Sequence, residues 1–193
     1  MSHWAGVDTR VAYLLLLALV VAERLVELVM SRRNERRARE RGGVEAGAGH
    51  YPWMVLLHAA FLAACPLEIW WLDRPFVPAL GFSMLGLMAA AMALRYWTIH
   101  TLGDRWTTRV LVVPGMTPVT GGPFRYLRHP NYLAVILEIA ALPLVHSAWG
   151  TAVFFSLANG ILLRVRIRTE ERALEEHNRY LESFARTPRL VPR

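Results

Sequence analysis

The sequence predicts an all-α, polytopic integral membrane protein that forms a single domain over residues 1–193. Hydrophobic residues make up 54% of the chain and its mean hydropathy is +0.28, which is more apolar than an ordinary soluble domain of this length. Long apolar runs alternate with Arg-rich loops, and the runs suffice for about five transmembrane helices. We expect three helices from residues 1–100, and a loop, a helical hairpin and a C-terminal helix from residues 101–193.

The first three apolar runs predict the N-terminal crossings. Val11–Met30 is long enough to cross a bilayer, although charged residues fall in its second half. A cleaved signal peptide is the alternative, but it would need a basic start, a short apolar core and a small-residue cleavage site. Here the apolar core runs into Glu-Arg, so we expect a retained helix. Tyr51–Trp71 and Phe76–His100 predict an antiparallel pair of crossings, because only the turn Leu72–Pro75 joins them.

The C-terminal half begins with a long polar segment. Leu102–Arg128 is rich in Arg, Gly and Pro and is interrupted by the apolar run Val110–Val113, a pattern that favours a functional loop over a linker. Pro130–Val145 and Trp149–Arg164 are short apolar runs and predict a final helical hairpin. The residues after Arg166 predict a charged C-terminal helix.

The positive charge of the chain predicts its orientation. All 22 basic residues are Arg, and the formal net charge is +7. No nucleic-acid motif accompanies this charge, so we expect no nucleic-acid partner. The Arg residues gather after the first predicted crossing, where Arg32–Arg41 contains six, after the third crossing, and in the tail. The positive-inside rule therefore places these segments in the cytoplasm and the N-terminus outside.

The sequence gives no reason to expect a metal site. Cys65 is the only cysteine and lies in an apolar run, so it supports neither an intrachain disulfide nor a zinc site made of thiolates. His50 and His58 are too far apart to form a metal-binding pair on successive turns of a helix. We expect packing or interfacial roles for both histidines.

Two polar patches, Thr120–Tyr132 and Arg166–Glu171, carry the candidate chemistry. The Gly-Gly-Pro of the first patch predicts a turn with exposed backbone N–H groups. Pro130 suits the first turn of the following helix, where an anion can bind. Because the two patches flank the same predicted hairpin on the cytoplasmic side, we expect them to form one site.

The second patch has a helical pattern of its own. Arg166 and Glu170 fall on one stripe with Asn159 and His177, near the cytoplasmic end of the last crossing. The stripe offers both charges to a ligand. The alternative is a direct ion pair between Arg166 and Glu170 on a solvated helix.

Glu138 is a carboxylate eight positions after Pro130, inside the fourth predicted crossing. An acidic residue at that depth is a candidate functional residue. Two interpretations remain open: Glu138 is a catalytic base for a weakly acidic acceptor, or it is a structural partner for Arg95 or Arg164.

The run Gly122–Tyr132 (GPFRYLRHPNY), followed by Arg166 and then Glu170-Glu171, resembles the signature of the isoprenylcysteine carboxyl methyltransferase family. The resemblance covers about the last 95 residues. It implies that the C-terminal hairpin and its loops enclose S-adenosylmethionine at the cytosolic face of the membrane, while a lipid substrate enters from the bilayer.

The resemblance also implies roles for individual residues. Arg166 falls where the family has a substrate-facing arginine, and Phe124 stands where a tyrosine is more usual. The implied cofactor-binding residues are Met116, Thr117, Pro118, Val119, Phe124, His129, Pro130, Asn131, Tyr132, Glu170 and, as a weaker transfer, Arg109.

The N-terminal half has Arg-Arg-Asn-Glu after the first predicted helix and the run His50–His58 (HYPWMVLLH) before the second. In these motifs it is more similar to a bacterial branch of the family that is associated with type III polyketide synthases. This similarity implies a protein of the bacterial inner membrane and a phenolic or enolic lipid, such as an alkylpyrone or alkylresorcinol, as acceptor. The partners we expect are therefore a lipophilic small molecule and the bilayer, and the sequence assigns no oligomeric state.

Methyl transfer from a sulfonium to an oxyanion removes both charges, so such a site needs alignment and exclusion of water more than a strong acid. Arg166 suits an anionic acceptor oxygen, and Glu170 suits a cationic cofactor. Two alternatives stay open. The hairpin also resembles NADPH-dependent membrane sterol reductases, and a non-catalytic helical scaffold would use the same polar residues only to anchor helix ends.

Overall fold

The computed structural model describes residues 3–4 and 6–190, and it is mostly helical. Residues 1–2 and 191–193, the two chain termini, lie outside the described residues. The predicted side of the membrane for each terminus therefore concerns residues that the structure does not describe. The helices are α1 (Thr9–Glu40), α2 (Tyr51–Trp71), α3 (Pro78–Leu102), α4 (Pro130–Leu144), α5 (Trp149–Asn178) and α6 (Tyr180–Ser183). The strands are β1 (His3–Trp4), β2 (Val7–Asp8), β3 (Val44–Ala46) and β4 (Val110–Val112).

Three helices, α2, α3 and α5, are long and apolar enough to cross a membrane. Helix α4 is apolar but has 15 residues, and α1 carries Glu23, Arg24 and Glu27 in the middle of its apolar part. Charged residues at that depth are costly unless they face other protein groups. The chain is therefore a membrane protein, and the count of five crossings stays a prediction for α1 and α4.

Helix α1 begins at an N-cap and runs without interruption into the Arg-rich segment. The Asp8 side chain accepts a hydrogen bond from the backbone N–H of Arg10 at 3.0 Å, which satisfies one of the free amides of the first turn. The apolar half of α1 buries Tyr13, Leu17 and Val20 in the helical core. At its C-terminal end the helix stops at Glu40, two residues before Gly42, which has a φ of +79°.

The core lies between the antiparallel helices. The main hydrophobic cluster joins α1, α2, α3, α4 and α5, with Phe61, Ile69, Met88 and Ile139 among its buried members. The carboxylate of Glu68, in the last turn of α2, accepts hydrogen bonds from the first backbone amides of α5 at 3.0 and 2.5 Å. This contact fixes the end of the bundle that lies away from the polar patches.

Two short antiparallel ribbons correct the all-α expectation. Strand β1 pairs with β2, and β3 pairs with β4 so that Val44 lies opposite Val112 and Ala46 opposite Val110. The apolar run in the polar loop is thus a strand, with Val110 and Val112 buried on one face. The second ribbon ties the connection between α1 and α2 to the loop that precedes α4.

The predicted fifth crossing and the charged tail are one continuous helix, α5, of 30 residues. Before α4, the Gly-Gly-Pro turn forms a short 3-10 helix, Gly122–Arg125. Gly122 has a φ of +55°, and a Cβ atom there would lie 2.4 Å from the Thr101 hydroxyl oxygen. Only glycine fits this position, which lets the turn pack directly on the end of α3.

Candidate functional site

The two polar patches contact each other at the end of the bundle where α3 ends and α4 begins. His129, the residue before α4, has its ring Nε2 3.1 Å from Glu171 Oε1 on α5. The Tyr132 hydroxyl donates to the carboxylate of Glu170. The first turn of α4 is therefore joined to α5 by two neighbouring side-chain contacts.

Arg166 is the centre of a buried polar group. Its side chain lies between three elements, and the residue is only 6% exposed. Arg166 Nε donates to the Tyr132 hydroxyl at 2.7 Å, Nη2 donates to the Thr108 carbonyl at 2.6 Å, and Nη1 lies 3.3 Å from the Met54 sulfur. A guanidinium with this set of contacts is fixed in direction by the surrounding loop and helices.

The predicted alternative, a direct ion pair between Arg166 and Glu170, is wrong for the described residues. The Tyr132 hydroxyl lies between the two side chains and bonds to both. The Arg166 guanidinium also lies 5.5 Å from the centre of the Tyr132 ring. Of the other residues on the predicted stripe, Asn159 is buried, and the His177 ring bonds to the Ala173 carbonyl of its own helix.

A single cavity brings together the residues that the family resemblance singles out. Its wall is made by the loop before α4, the first turn of α4 and the C-terminal half of α5. The predicted residues that line it are Arg109, Met116, Thr117, Pro118, Val119, Phe124, His129, Pro130, Asn131, Tyr132, Arg166 and Glu170. The structure thus places every predicted cofactor residue and Arg166 around one space, while Glu138 is not among the lining residues.

Arg109 is held at the rim of the cavity by acidic residues from the N-terminal half. Its Nη1 lies 2.5 Å from Glu45 Oε1 and its guanidinium lies 4.2 Å from the centre of the Tyr51 ring. The hydrogen bond to Glu45 raises the pKa of Arg109. Burial raises the pKa of Glu45, but hydrogen bonds from Arg109 and Arg39 outweigh it and bring this pKa below its usual value. The β3–β4 ribbon is thus accompanied by an ion pair between Glu45 and Arg109 beside the site.

Glu138 belongs to a separate buried cluster of charges. Its Oε2 accepts a hydrogen bond from Arg95 Nη2 at 2.6 Å, and its Oε1 lies 3.6 Å from Arg24 Nη2. Arg24 and Arg95 also contact Glu27, at 2.6 and 3.4 Å. Of the two partners that the sequence left open, the structure gives Arg95. Glu23 also pairs with Arg24, at 3.1 Å, so two cations and three anions interact inside the helical bundle.

Several residues around the cavity gave no signal in the sequence. Asn178 and Tyr180 line it, at the point where α5 ends and the chain turns through Arg179 with φ 52° and ψ 45°. The amide oxygens of Asn131 and Asn178 are buried and have no hydrogen-bond partner among the described residues. Because buried polar atoms are usually paired, these two acceptors fit a ligand that brings hydrogen-bond donors.

No group of three or more His, Cys, Asp or Glu side chains suited to a metal ion occurs within residues 3–4 and 6–190. Cys65 is buried and unpaired within the same part of the chain. The polar side chains Arg166, Tyr132, His129 and Glu170 all line the cavity.

Comparison with known proteins finds relatives that match most of this chain. The uncharacterized protein YpbQ of Bacillus subtilis is 37% identical over 165 residues, which cover 85% of this chain and 97% of that protein. An uncharacterized protein of Haemophilus influenzae is 29% identical over 160 residues, covering 81% of this chain and 91% of that protein. The nickel-cobalt-cadmium resistance protein NccN of Alcaligenes xylosoxydans xylosoxydans is 27% identical over 143 residues, covering 73% of this chain and 63% of that protein.

The profile of one protein family matches residues 84–176, a range that includes most of α3, the loop, α4 and most of α5. This range supplies most of the cavity wall, including Arg109, His129, Tyr132, Arg166 and Glu170. The chain belongs to the isoprenylcysteine carboxyl methyltransferase (ICMT) family, a family of membrane methyltransferases.

Proposed function

We propose that this protein transfers a methyl group from S-adenosylmethionine to an oxygen of a lipophilic acceptor at the cytoplasmic face of the bacterial inner membrane. The observation that carries the proposal is the hydrogen-bonded series Arg166, Tyr132, Glu170 in the wall of a cavity at one end of apolar helices. This series presents a cation and an anion on the two sides of one hydroxyl group. A reaction between a cationic donor and an anionic acceptor needs both.

The residues around the cavity fit this cofactor. Its amino groups and ribose hydroxyls are hydrogen-bond donors, and the free amide oxygens of Asn131 and Asn178 are acceptors. Glu170 supplies negative charge for the amino group or the sulfonium, and the backbone N–H of Asn131, in the first turn of α4, suits the carboxylate. Phe124 lines the cavity without a hydroxyl group, so it contributes apolar contact only.

The bound cofactor supplies an electrophilic methyl group on a sulfonium. Arg166 holds the acceptor oxygen in its anionic form, because its guanidinium is fixed by the Thr108 carbonyl and the Tyr132 hydroxyl. Met54 brings an apolar side chain from α2 against the same guanidinium, so the acceptor oxygen lies beside the membrane half of the protein. The surrounding buried side chains exclude water, which strengthens the attraction between Arg166 and the oxyanion.

The position of Arg166 is compatible with the acceptor class that the family resemblance implies. An alkylpyrone, an alkylresorcinol or an isoprenylcysteine-like carboxylate each combines an ionisable oxygen with a long apolar tail. Such a molecule keeps its tail among the exposed apolar side chains of the helices while its oxygen reaches Arg166. We assign the Arg-rich end of α1 to the cytoplasm and the N-terminus to the outside on the positive-inside rule.

The test is calorimetry of the purified protein in detergent with S-adenosylmethionine and, separately, with NADPH. We expect binding of S-adenosylmethionine and none of NADPH, followed by transfer of labelled methyl groups to an alkylresorcinol or alkylpyrone. Binding of NADPH alone would favour a reductase, and binding of neither compound would favour a non-catalytic scaffold. Either result would refute the proposed function.

A further inference from the structure

A second row of polar side chains stands behind the cavity wall. His129 lines the cavity, whereas Glu171 and Arg189 do not, and Glu171 lies directly behind the His129 ring. His129 and Glu171 are 5% and 7% exposed, so their contact is shielded from water. A buried carboxylate needs partners of its own to remain charged there.

Arg189 is the main partner of that carboxylate. Its Nε lies 3.0 Å from Glu171 Oε1 and its Nη2 lies 2.6 Å from Glu171 Oε2, which is the two-pronged geometry of a strong Arg–carboxylate pair. Arg128 approaches the same carboxylate less closely, with Nη1 at 3.8 Å. Burial makes the charged form of Glu171 less favourable in free energy, and the two hydrogen bonds from Arg189 offset this penalty.

The backbone of the C-terminal segment is bound at the same place. The Arg128 N–H donates to the Pro188 carbonyl at 2.9 Å, and the His129 N–H donates to the Arg189 carbonyl at 3.1 Å. Leu190 packs against the cluster that contains Tyr132 and Ile167. The segment therefore holds the residues just before α4 by backbone, ion-pair and apolar contacts together.

These contacts determine which ring nitrogen of His129 carries the proton in the neutral form. A carboxylate only accepts, so the nitrogen that faces Glu171, Nε2, is the donor. In the neutral ring the other nitrogen, Nδ1, then has a free lone pair and acts as an acceptor. Among the described residues the structure gives Nδ1 no hydrogen-bond partner, so it is available to a donor group in the cavity.

We infer that Arg189 is a positioning residue for the cofactor site: it orients Glu171, which fixes His129 as a hydrogen-bond acceptor facing the cavity. Arg189 acts through two other side chains and does not line the cavity itself. The inference rests on the proposed function, since the donor that His129 meets would be an amino or hydroxyl group of S-adenosylmethionine. It adds a residue at the far C-terminus, outside the stretch 84–176 that the family profile matches.

The first experiment reads the histidine directly and does not depend on any ligand. Nitrogen NMR of the protein in detergent, with labelled histidine, reports which ring nitrogen of His129 is protonated. At a pH where the ring is neutral, we expect the Nε2–H form in the parent and in Arg172→Leu, and a mixture of both forms in Arg189→Leu. Arg172 is a matched control, because it is an exposed arginine on the same helix as Glu171 and makes no hydrogen bond or ion pair among the described residues.

The second experiment is a double-mutant cycle on binding of S-adenosylmethionine, measured by calorimetry. Loss of a hydrogen bond to a positioned group weakens binding by about tenfold, so Arg189→Leu should bind about tenfold more weakly than Arg172→Leu. Arg189→Lys keeps the charge and should recover part of the affinity. In a His129→Ala background, Arg189→Leu should cause no further loss, because the side chain through which Arg189 acts is gone.

The outcomes separate this inference from the proposed function. If the parent does not bind S-adenosylmethionine, the proposed function fails, while the NMR measurement still reports on the Arg189, Glu171 and His129 series. If Arg189→Leu leaves the His129 ring in the Nε2–H form, the inference is wrong. It is equally wrong if the substitution weakens binding as much in the His129→Ala background as in the parent, since Arg189 would then act only on general stability.

Discussion

The Tyr132 hydroxyl accepts a hydrogen bond from Arg166 Nε, at 2.7 Å, and donates a hydrogen bond to the carboxylate of Glu170. This arrangement replaces a direct ion pair by a neutral hydroxyl between two charges. It also couples α4 to α5 at the level of the cavity. The hydroxyl therefore sets both the direction of the guanidinium and the separation of the two charges.

Tyr132→Phe should lower the stability of the folded protein and disturb the site together. The change leaves Arg166 Nε buried without an acceptor, and an unpaired group of that kind costs about 1–3 kcal/mol. Thermal unfolding in detergent would measure the loss. Tyr126→Phe is the control, since Tyr126 is exposed and its hydroxyl makes no hydrogen bond among the described residues. Equal stability of the two variants would contradict the role given to the Tyr132 hydroxyl.

Glu170→Gln should weaken binding of S-adenosylmethionine while the protein stays folded. A hydrogen bond to a charged group contributes about 1.5–3 kcal/mol, which corresponds to a factor of roughly 10–100 in affinity. Calorimetry would give the dissociation constant. Glu176→Gln changes an exposed glutamate farther along the same helix and should bind like the parent. Parental affinity in Glu170→Gln would remove this carboxylate from the cofactor site.

Arg166→Leu should reduce turnover far more than cofactor affinity. Leucine keeps apolar bulk but cannot stabilise the acceptor oxyanion, and loss of such a donor costs about a hundredfold or more in rate. Cofactor affinity should change by less than about threefold, because the interaction is made to the acceptor. Methyl transfer to an alkylresorcinol, measured against pH, would show partial recovery at high pH, where hydroxide ionises the acceptor instead. A parental rate in this variant would exclude Arg166 from the reaction.

Substitutions in the charge cluster around Glu138 test whether this carboxylate has a structural or a catalytic role. Glu138→Gln leaves Arg95 with one distant partner inside the bundle, and removing one partner of a buried pair costs about 3–5 kcal/mol. Unfolding with a denaturing detergent should show a loss of that order. The double variant Arg95→Met with Glu138→Leu should be less destabilised than Glu138→Gln alone, because no charge is left unpaired. Full stability with lost turnover would instead identify Glu138 as the base.

Cysteine accessibility tests the orientation in the membrane. Single cysteines would replace Arg37, Asp73 and Arg172 in a Cys65→Ser background. Arg37 and Arg172 lie at the end of the bundle that holds the cavity, and Asp73 lies in the turn between α2 and α3 at the other end. We expect Arg37 and Arg172 to be labelled only from the cytoplasm and Asp73 only from outside. Labelling of Arg37 and Asp73 from the same side would refute the topology.

The elements that rest on local pattern were predictable from the sequence. Helix α2 has the predicted bounds Tyr51–Trp71, because an unbroken apolar run between polar turns has few other ways to fold. The start of α4 at Pro130 follows from the same kind of local signal. The set of residues around the cavity followed from the family resemblance, which carries positional information that periodicity lacks.

Contacts between distant parts of the chain were not predictable. Strand β4 was visible only as an apolar interruption, since its partner Val44–Ala46 lies in another loop and pairing over such a separation leaves no local mark. In the sequence, no motif or spacing distinguishes Arg189 from the other arginines of the C-terminal tail. The structural role of Arg189 comes from its two-pronged hydrogen bond to Glu171 and from two backbone hydrogen bonds that hold its segment. Both depend on how the tail folds back onto the bundle.

Glu68 joins the outer end of α2 to the first amides of α5, and at the inner end Arg166 of α5 contacts Met54 of α2. Two helices that are fastened at both ends resist sliding along each other. They form a stiff frame on one side of the cavity. The rest of the cavity wall includes strand β4 and the loop before α4. We therefore expect the motions that admit or release a bulky ligand to occur in these segments, while Arg166 stays at one depth.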